Sequence, residues 1–181
     1  PMHEQKKDPS CADRVWEACE SRLADIRLML DPTEDDYRLG DDGSLDTVIV
    51  VGEEEFRFDS SNFDDDTPKT EQAYAMFADD IEETLRDRFH EYGLSFDYVP
   101  RWAFNDQKLG FVRFQLSLGG PQEEIRFFCD EQRMPYRVEF WFLDWGDGAC
   151  IDITDRSETD LLIDRLGFYD WLYDDQEFWS Q

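Results

Sequence analysis

Two stretches of the chain place apolar residues at the three- and four-residue spacing of an amphipathic helix. In the first, about residues 11–30, the repeating residues are Val15, Cys19, Leu23, Ile26 and Leu30. In the second, about residues 70–92, they are Tyr74, Phe77, Ala78, Ile81, Leu85, Phe89 and Tyr92. Residues at this spacing share one helix face, so each stretch is predicted to bury a stripe against a core. A shorter apolar pattern predicts a last helix over about residues 158–174.

β-branched and aromatic runs predict the strands. Residues 47–51 and 55–59 flank Gly52 and predict a small hairpin. Further candidate strands are 95–100, 111–118, 123–129 and 135–144, with a short edge strand at 149–153. Their short connections favour antiparallel pairing. The predicted fold is α+β, an antiparallel β-meander of four to five strands packed against two N-terminal helices and one C-terminal helix.

The domain organisation follows from length and from these elements. The chain has 181 residues, which is the size of one ordinary domain. Residues 1–9 are predicted to be a flexible tail, and residues 10–181 a single acidic domain. Within it, residues 31–69 are predicted to form acidic loops around the small hairpin.

Charge is the most unusual property of the sequence. Asp and Glu total 45 against 18 Lys and Arg, which gives a net charge of -27, and the mean hydropathy is -0.70. Acidic chains of low hydropathy are often disordered. However, 15 Phe, 7 Tyr and 6 Trp supply the material of a folded core, so we expect such a core under an acidic surface.

The charge also limits the partners that the sequence predicts. No basic stripe is present, so direct binding to nucleic acid is not expected, and an anionic membrane surface is disfavoured. A basic protein or a metal ion is the natural counterpart. A surface that serves only solubility, or a halophilic source, are the simpler alternatives. No signal peptide and no long apolar run are present, which predicts a cytoplasmic protein.

Enzyme and cofactor signals are weak. The four cysteines, Cys11, Cys19, Cys129 and Cys150, form no CxxC pair, so no zinc site is predicted and buried free thiols are the simplest interpretation. No GxSxG, P-loop, GxGxxG or HExxH pattern occurs. We therefore predict no catalytic residues, no metal and no cofactor.

An acidic surface on the second helix is the main candidate site. Asp79, Glu83, Asp87 and Glu91 recur every four residues, about 6 Å apart along the helix, and Asp80 lies beside them. Two acidic loops add the remaining predicted partner-binding residues: Asp35, Asp36, Asp41, Asp42, Asp64, Asp65 and Asp66. Because DNA is also a regular anionic ladder, this surface could occupy a nucleic-acid groove of a basic protein. An ordinary solvated face is the alternative.

Two further clusters have competing interpretations. Asp144, Asp147 and Asp152 lie around two glycines, which would suit a divalent metal site, although a turn capped by Asp side chains is the simpler interpretation. The aromatic C-terminus, from Trp171 to Trp179, is explained either by core packing or by a protein interface in which aromatic residues anchor a partner.

Three segments carry a resemblance: 91–99, 110–121 and 136–149, with the pattern LSxGGPxxExRF…YRVExxFLDWxDGA. Over roughly residues 70–175 the chain resembles a family of small acidic proteins carried by phages, plasmids and integrated elements. The resemblance implies a genetic context and transfers no functional residue. By class analogy it implies a counter-defence protein, such as an anti-restriction or anti-CRISPR protein.

These observations lead to one main hypothesis about function. It is a non-enzymatic inhibitor from a mobile element that binds a basic nucleic-acid-binding protein of host defence, a CRISPR effector or restriction enzyme, by DNA mimicry or occlusion. An immunity protein against a basic nuclease toxin would use the same electrostatics. A metal-dependent enzyme would use the clustered Asp residues, and a structural or replication-associated protein is also compatible with the sequence.

Overall fold

The computed structural model describes residues 9–40, 46–59, 63–105, 107–168 and 176–180. Over these ranges the chain forms three α-helices and two antiparallel sheets, which confirms the predicted α+β class. Residue contacts group the chain into two compact units, one of residues 24–91 and one of residues 1–23 with 92–181. The single domain expected for 10–181 stays a prediction. The expected tail at 1–9 lies, but for its last residue, outside the described ranges.

The three helices are α1 (Cys11–Leu30), α2 (Lys69–Tyr92) and α3 (Ser157–Arg165). The first two agree with the predicted limits to within one residue, but the end predicted for α3 at residue 174 was wrong. Gly167 has a φ of 75°, its N–H donates to the Asp164 carbonyl, and the next N–H, of Phe168, donates to the Ile163 carbonyl. This pair of bonds is the Schellman motif, which ends a helix at a glycine in the left-handed conformation.

The unit of residues 24–91 contains a three-stranded sheet. Its strands are β1 (Tyr37–Gly40), β2 (Asp46–Val51) and β3 (Glu54–Asp59), in the order β1–β2–β3. The predicted hairpin is present as β2 and β3, whereas β1 occupies a segment that was expected to be an acidic loop. Buried residues of the sheet and of α2 form one core cluster: Tyr37, Ile49, Val51, Ala73, Ile81 and Leu85.

The other unit contains a five-stranded sheet whose strands pair in chain order. They are β4 (Ser95–Val99), β5 (Phe111–Ser117), β6 (Gln122–Cys129), β7 (Pro135–Asp144) and β8 (Asp147–Asp152). One face is apolar and buried, with Phe114, Ile125 and Phe140 as cross-strand partners. The opposite face carries charged side chains at alternate positions. A row of cross-strand partners on it runs Asp97, Arg113, Arg126, Glu139 and Asp152.

The turn between β7 and β8 has an unusual residue. Asp144 and Asp147 are cross-strand partners, so the loop contains only Trp145 and Gly146, with φ values of 46° and 82°. Positive φ at both central residues is typical of a type I′ hairpin turn, which strongly favours Asn-Gly. Trp145 is 97 % exposed and therefore gains little from packing, while its side chain disfavours the left-handed conformation.

We expect Trp145→Asn to stabilise the protein by about 1 kcal/mol, because Asn tolerates the left-handed conformation better than Trp. The free energy of unfolding from urea denaturation measures the effect. Trp16→Asn is the matched control, because Trp16 is also exposed but lies in α1. An equal gain in both variants would show that the turn conformation is not the cause.

Candidate functional site

The acidic charge is concentrated in one unit. Residues 24–91 contain 22 Asp and Glu against 6 Lys and Arg, so they carry -16 of the net charge of -27. All twelve predicted partner-binding residues fall in this unit. Its surface is therefore the natural place to look for an electrostatic interface.

Five predicted residues lie together on the solvent face of α2. Asp79, Asp80, Glu83, Asp87 and Glu91 are all exposed, and we call them the α2 acidic face. The helix turns its opposite face, with Ala73, Ile81, Leu85 and Phe89, into the interior. The sequence periodicity thus placed these five side chains correctly.

The arginines of α2 are engaged away from this face. Arg86 forms an ion pair with Glu82 one turn earlier, and Arg88 forms one with Glu54 of β3. Among the described residues no ion pair reaches any of the five carboxylates of the α2 acidic face. Their charge is consequently presented to solvent without neutralisation by a neighbouring cation.

Two predicted residues of the first acidic loop are described: Asp36 has a structural role and Asp35 is exposed. Asp36 accepts two hydrogen bonds from the Arg27 guanidinium, at 2.7 and 3.1 Å, and others from the backbone N–H and hydroxyl of Thr33. Chiefly because of Arg27, the pKa of the Asp36 carboxyl is lowered. Asp35 is exposed, and Asp41 and Asp42 lie outside the described residues. Asp36 therefore holds the entrance of β1 against the end of α1.

The second acidic loop also contains a residue with a structural role. The Asp64 carboxylate accepts the backbone N–H groups of Thr67, at 2.7 Å, and Asp66, at 3.0 Å. The bond from Thr67 is the main reason that the pKa of Asp64 is lowered. All three Asp residues are exposed, but Asp64 also shapes the turn that leads into α2. Whether any of these residues contacts a partner stays a prediction.

The clustered carboxylates near the β7–β8 turn each have a partner within the fold. Asp144 accepts a hydrogen bond from Arg14 at 2.8 Å, and Asp147 accepts the backbone N–H of Cys11 at the start of α1. Asp152 accepts the N–H and hydroxyl of Thr154. Within the described ranges no three His, Cys, Asp or Glu residues are grouped as metal ligands. These carboxylates therefore serve an ion pair (Asp144), the start of α1 (Asp147) and the turn after β8 (Asp152).

The described part of the aromatic C-terminus packs against the five-stranded sheet. Phe178 is buried and stacks on Phe96 with 5.6 Å between ring centroids, and Trp179 lies 5.3 Å from Tyr98. Residues 169–175, with Trp171, lie outside the described residues. The aromatic rings that can be followed thus contribute to the core rather than to an exposed anchor.

The cysteines differ in exposure. Cys11 and Cys19 are buried and Cys129 is half-buried, but Cys150 is exposed, so the interpretation of all four as buried thiols was wrong for Cys150. Burial raises the pKa of Cys19 to about 11 and that of Cys129 to about 12. The pKa of Cys150 is raised as well, chiefly by burial of its sulfur. A thiol that stays protonated at neutral pH is a poor nucleophile.

The five-stranded sheet carries a cavity that was not predicted from the sequence. The charged face of the sheet encloses a volume of about 730 Å³, whose lining includes Arg113, Glu124, Arg126, Arg137 and Trp141. The signal was present in β7, where polar residues alternate with buried apolar ones. Such alternation fits any half-exposed sheet, so it does not by itself reveal a cavity.

Comparison with known proteins provides no further assignment. No family model, no curated protein and no solved structure matches the chain. In the part of the chain that the structure describes, no helix is both long enough and apolar enough to cross a membrane.

Asp36 and Asp35 of the first acidic loop allow a matched test, because one carboxylate is paired within the fold and the other is exposed. We expect Asp36→Asn to lower the free energy of unfolding by about 1 kcal/mol at neutral pH, because the partly exposed Arg27 loses its ionised partner. Asp35→Asn removes the same charge and should leave stability unchanged or slightly raised. Urea denaturation measures both.

The pH dependence of this difference has a definite sign. Because the pKa of Asp36 is lowered in the folded state, its contribution is present above the ordinary carboxyl pKa and is lost as the pH falls. The gap between wild type and Asp36→Asn should therefore close below about pH 4. A gap that persists unchanged at lower pH would contradict an electrostatic role for Asp36.

Proposed function

We propose that the chain is a non-enzymatic inhibitor that binds a basic nucleic-acid-binding protein and occupies its nucleic-acid channel. The observation that supports this proposal is the α2 acidic face, whose five carboxylates are exposed and form no ion pair among the described residues. A row of carboxylates without internal counter-charges attracts an external one. Basic channels for nucleic acid offer such a charge at high density.

The spacing of the carboxylates also favours this partner class. Asp79, Glu83, Asp87 and Glu91 follow one another at about 6 Å, so the row spans about 18 Å. Along one DNA strand, every second phosphate is about 6.8 Å further along the axis. The row is thus near the spacing at which the lysines and arginines of a nucleic-acid channel meet negative charge.

Steering and competition would form the mechanism. The unit of residues 24–91 carries -16, and this field accelerates encounter with a positive cleft at low salt. The bound inhibitor would exclude nucleic acid both by volume and by using the same cations. Exposed Asp35, Asp65 and Asp66 extend the acidic surface within the same unit.

The identity of the target follows from the resemblance rather than from the geometry. A phage- or plasmid-borne acidic protein that acts in the bacterial cytoplasm suits a defence effector, such as a CRISPR effector or restriction enzyme. An immunity protein for a basic nuclease toxin would present the same surface. A toxin gene beside the gene for this chain would favour the immunity protein.

Reversing the charge of the α2 acidic face tests the proposal. In the test variant, Asp79, Glu83, Asp87 and Glu91 are replaced by Lys. The control variant carries the same net charge, with Lys in place of four exposed acids of the other unit: Glu17, Glu131, Asp155 and Asp160. Circular dichroism and urea denaturation first establish that both variants are folded.

The immobilised chain is used to capture proteins from a bacterial lysate at about 50 mM salt, and capture is repeated at about 0.5 M, where charge is strongly screened. We expect the chain to capture a basic nucleic-acid-binding protein. Added duplex DNA should displace this protein from the chain. Its affinity should fall at least about tenfold in the α2 variant, which is the loss of one or two charged contacts, and should change little in the control. An equal loss of affinity in both variants would show that net charge, and not the α2 acidic face, governs binding. Unchanged affinity in both variants would reject the α2 acidic face as the binding surface.

A further inference from the structure

The cavity on the charged face of the five-stranded sheet has the size of a small-molecule site. Its volume is about 730 Å³, within the range of roughly 300–1,000 Å³ that such sites occupy. Every described residue that lines it belongs to the unit of residues 1–23 and 92–181. The cavity therefore belongs to a different unit from the α2 acidic face and differs from it in chemistry.

Arg126, which lines the cavity, is held rigidly but keeps free donors. Its Nε donates to Glu124 Oε1 at 2.6 Å, and its guanidinium lies 4.0 Å from the ring centroid of Trp141 and 4.6 Å from that of Phe111. The side chain is only 14 % exposed. No described residue accepts a hydrogen bond from its two terminal nitrogens, which carry four N–H groups between them. A fixed fork of donors thus faces the cavity.

Arg137 on the neighbouring strand is arranged in the same way. Its guanidinium lies 4.2 Å from the ring centroid of Phe128, and its Nε lies 3.2 Å from Glu139 Oε1. Its terminal nitrogens also have no hydrogen-bond partner among the described residues. Both arginines therefore leave the ends of their guanidinium groups available, and Nε of Arg137 is buried with an ion pair but no hydrogen bond.

The carboxylates of the cavity, by contrast, already have donors. Glu124 accepts Gln122 Nε2 in addition to Arg126, and Glu139 accepts Trp141 Nε1 at 2.9 Å. The lining contains four cationic side chains and two carboxylates, while outside the lining Asp97 pairs with Arg113 and Asp152 lies near enough to Arg137 for their charges to interact. The groups of the cavity without a hydrogen-bond partner among the described residues are thus donors, the terminal N–H groups of Arg126 and Arg137.

The register of the sheet adds an energetic argument. Arg113 and Arg126 are direct cross-strand partners. Like charges directly opposite one another destabilise a sheet pair, and here each arginine pairs with a carboxylate, Arg113 with Asp97 and Arg126 with Glu124. An anion held by Arg126 would add a further counter-charge beside this pair.

We propose that this cavity binds a small organic anion, with its phosphate or carboxylate group on the free ends of Arg126 and Arg137 and its planar body against Phe104. Planar guanidinium forks match both anionic groups in bidentate geometry. Phe104 lines the cavity and is 52 % exposed, so it offers an uncovered ring. A nucleic-acid chain does not suit the site, because the net charge of the protein repels a polyanion more strongly than one small anion.

Isothermal titration calorimetry on the full chain tests the proposal with three probes: adenosine monophosphate, phenylacetate and inorganic phosphate. We expect at least one of the two ring-bearing probes to bind with a dissociation constant below about 1 mM, and inorganic phosphate to bind at least about tenfold more weakly. The better ring-bearing probe identifies phosphate or carboxylate as the recognised group. Failure of both ring-bearing probes, or equal affinity for inorganic phosphate, would overturn the proposal.

Variants locate the binding. Arg137→Gln and Phe104→Ala change partly exposed side chains and should fold, and each should weaken the better probe by about tenfold. Arg126→Gln should weaken binding more, but it also removes the ion-pair partner of the buried Glu124. If Arg126→Gln does not fold, the test rests on Arg137→Gln and Phe104→Ala. Arg86→Gln removes one positive charge outside the cavity and should leave affinity unchanged. Equal affinities in all variants would reject the site.

Cys150 provides an independent readout, because it lines the same cavity and is exposed. The bound probe should slow alkylation of Cys150 by iodoacetamide, measured by mass spectrometry, while alkylation of unfolded chain stays unchanged. Unprotected Cys150 at a saturating probe concentration would place the probe elsewhere and overturn the proposal. The site can fail this test while the α2 acidic face still binds its partner, and the reverse also holds.

Discussion

The shortage of cations is the constraint on which the rest of the structure depends. With 18 Lys and Arg against 45 Asp and Glu, the chain can neutralise only a minority of its carboxylates. The arginines are placed where a carboxylate must lie inside or at the edge of the fold, as in Arg22 with Glu123 and Arg27 with Asp36. A desolvated charge without a partner is far more costly than an exposed one. The excess negative charge is therefore left on the surface. It consists of the carboxylates that form no ion pair with an arginine.

The same constraint explains how far the sequence could be interpreted. The spacing of apolar residues defines α1 and α2 because both helices bury a long, regular stripe. The strand β1 was missed because only Tyr37 of its four residues is buried, so it carries no alternation. The end of α3 depended on Gly167, whose role as a stop is clear only once its φ is known. Local patterns thus predict elements that bury much, and not those that bury little.

The candidate site shows a sharper limit. Helical periodicity identified the exposed face of α2, because exposure there follows from helix geometry alone. It could not separate Asp36 from Asp35, or Asp64 from Asp65, because a neighbouring contact makes the difference. Some ion-pair partners are far more distant in sequence, such as Arg156 and Glu20, which are 136 residues apart. A count of carboxylates in the sequence therefore overestimates the unpaired negative charge of the surface. The correction requires knowing which carboxylates form ion pairs with arginines.

The two surfaces use the limited supply of cations in opposite ways. On α2, Arg86 and Arg88 pair with Glu82 and Glu54, so the acidic face keeps its full charge. On the five-stranded sheet, Arg113 and Arg126 lie side by side although like charges there oppose pairing. Each of these arginines also holds a carboxylate, Arg113 that of Asp97 and Arg126 that of the buried Glu124. The terminal N–H groups of Arg126 nevertheless have no acceptor among the described residues, and an anionic ligand is the counterpart that would satisfy them.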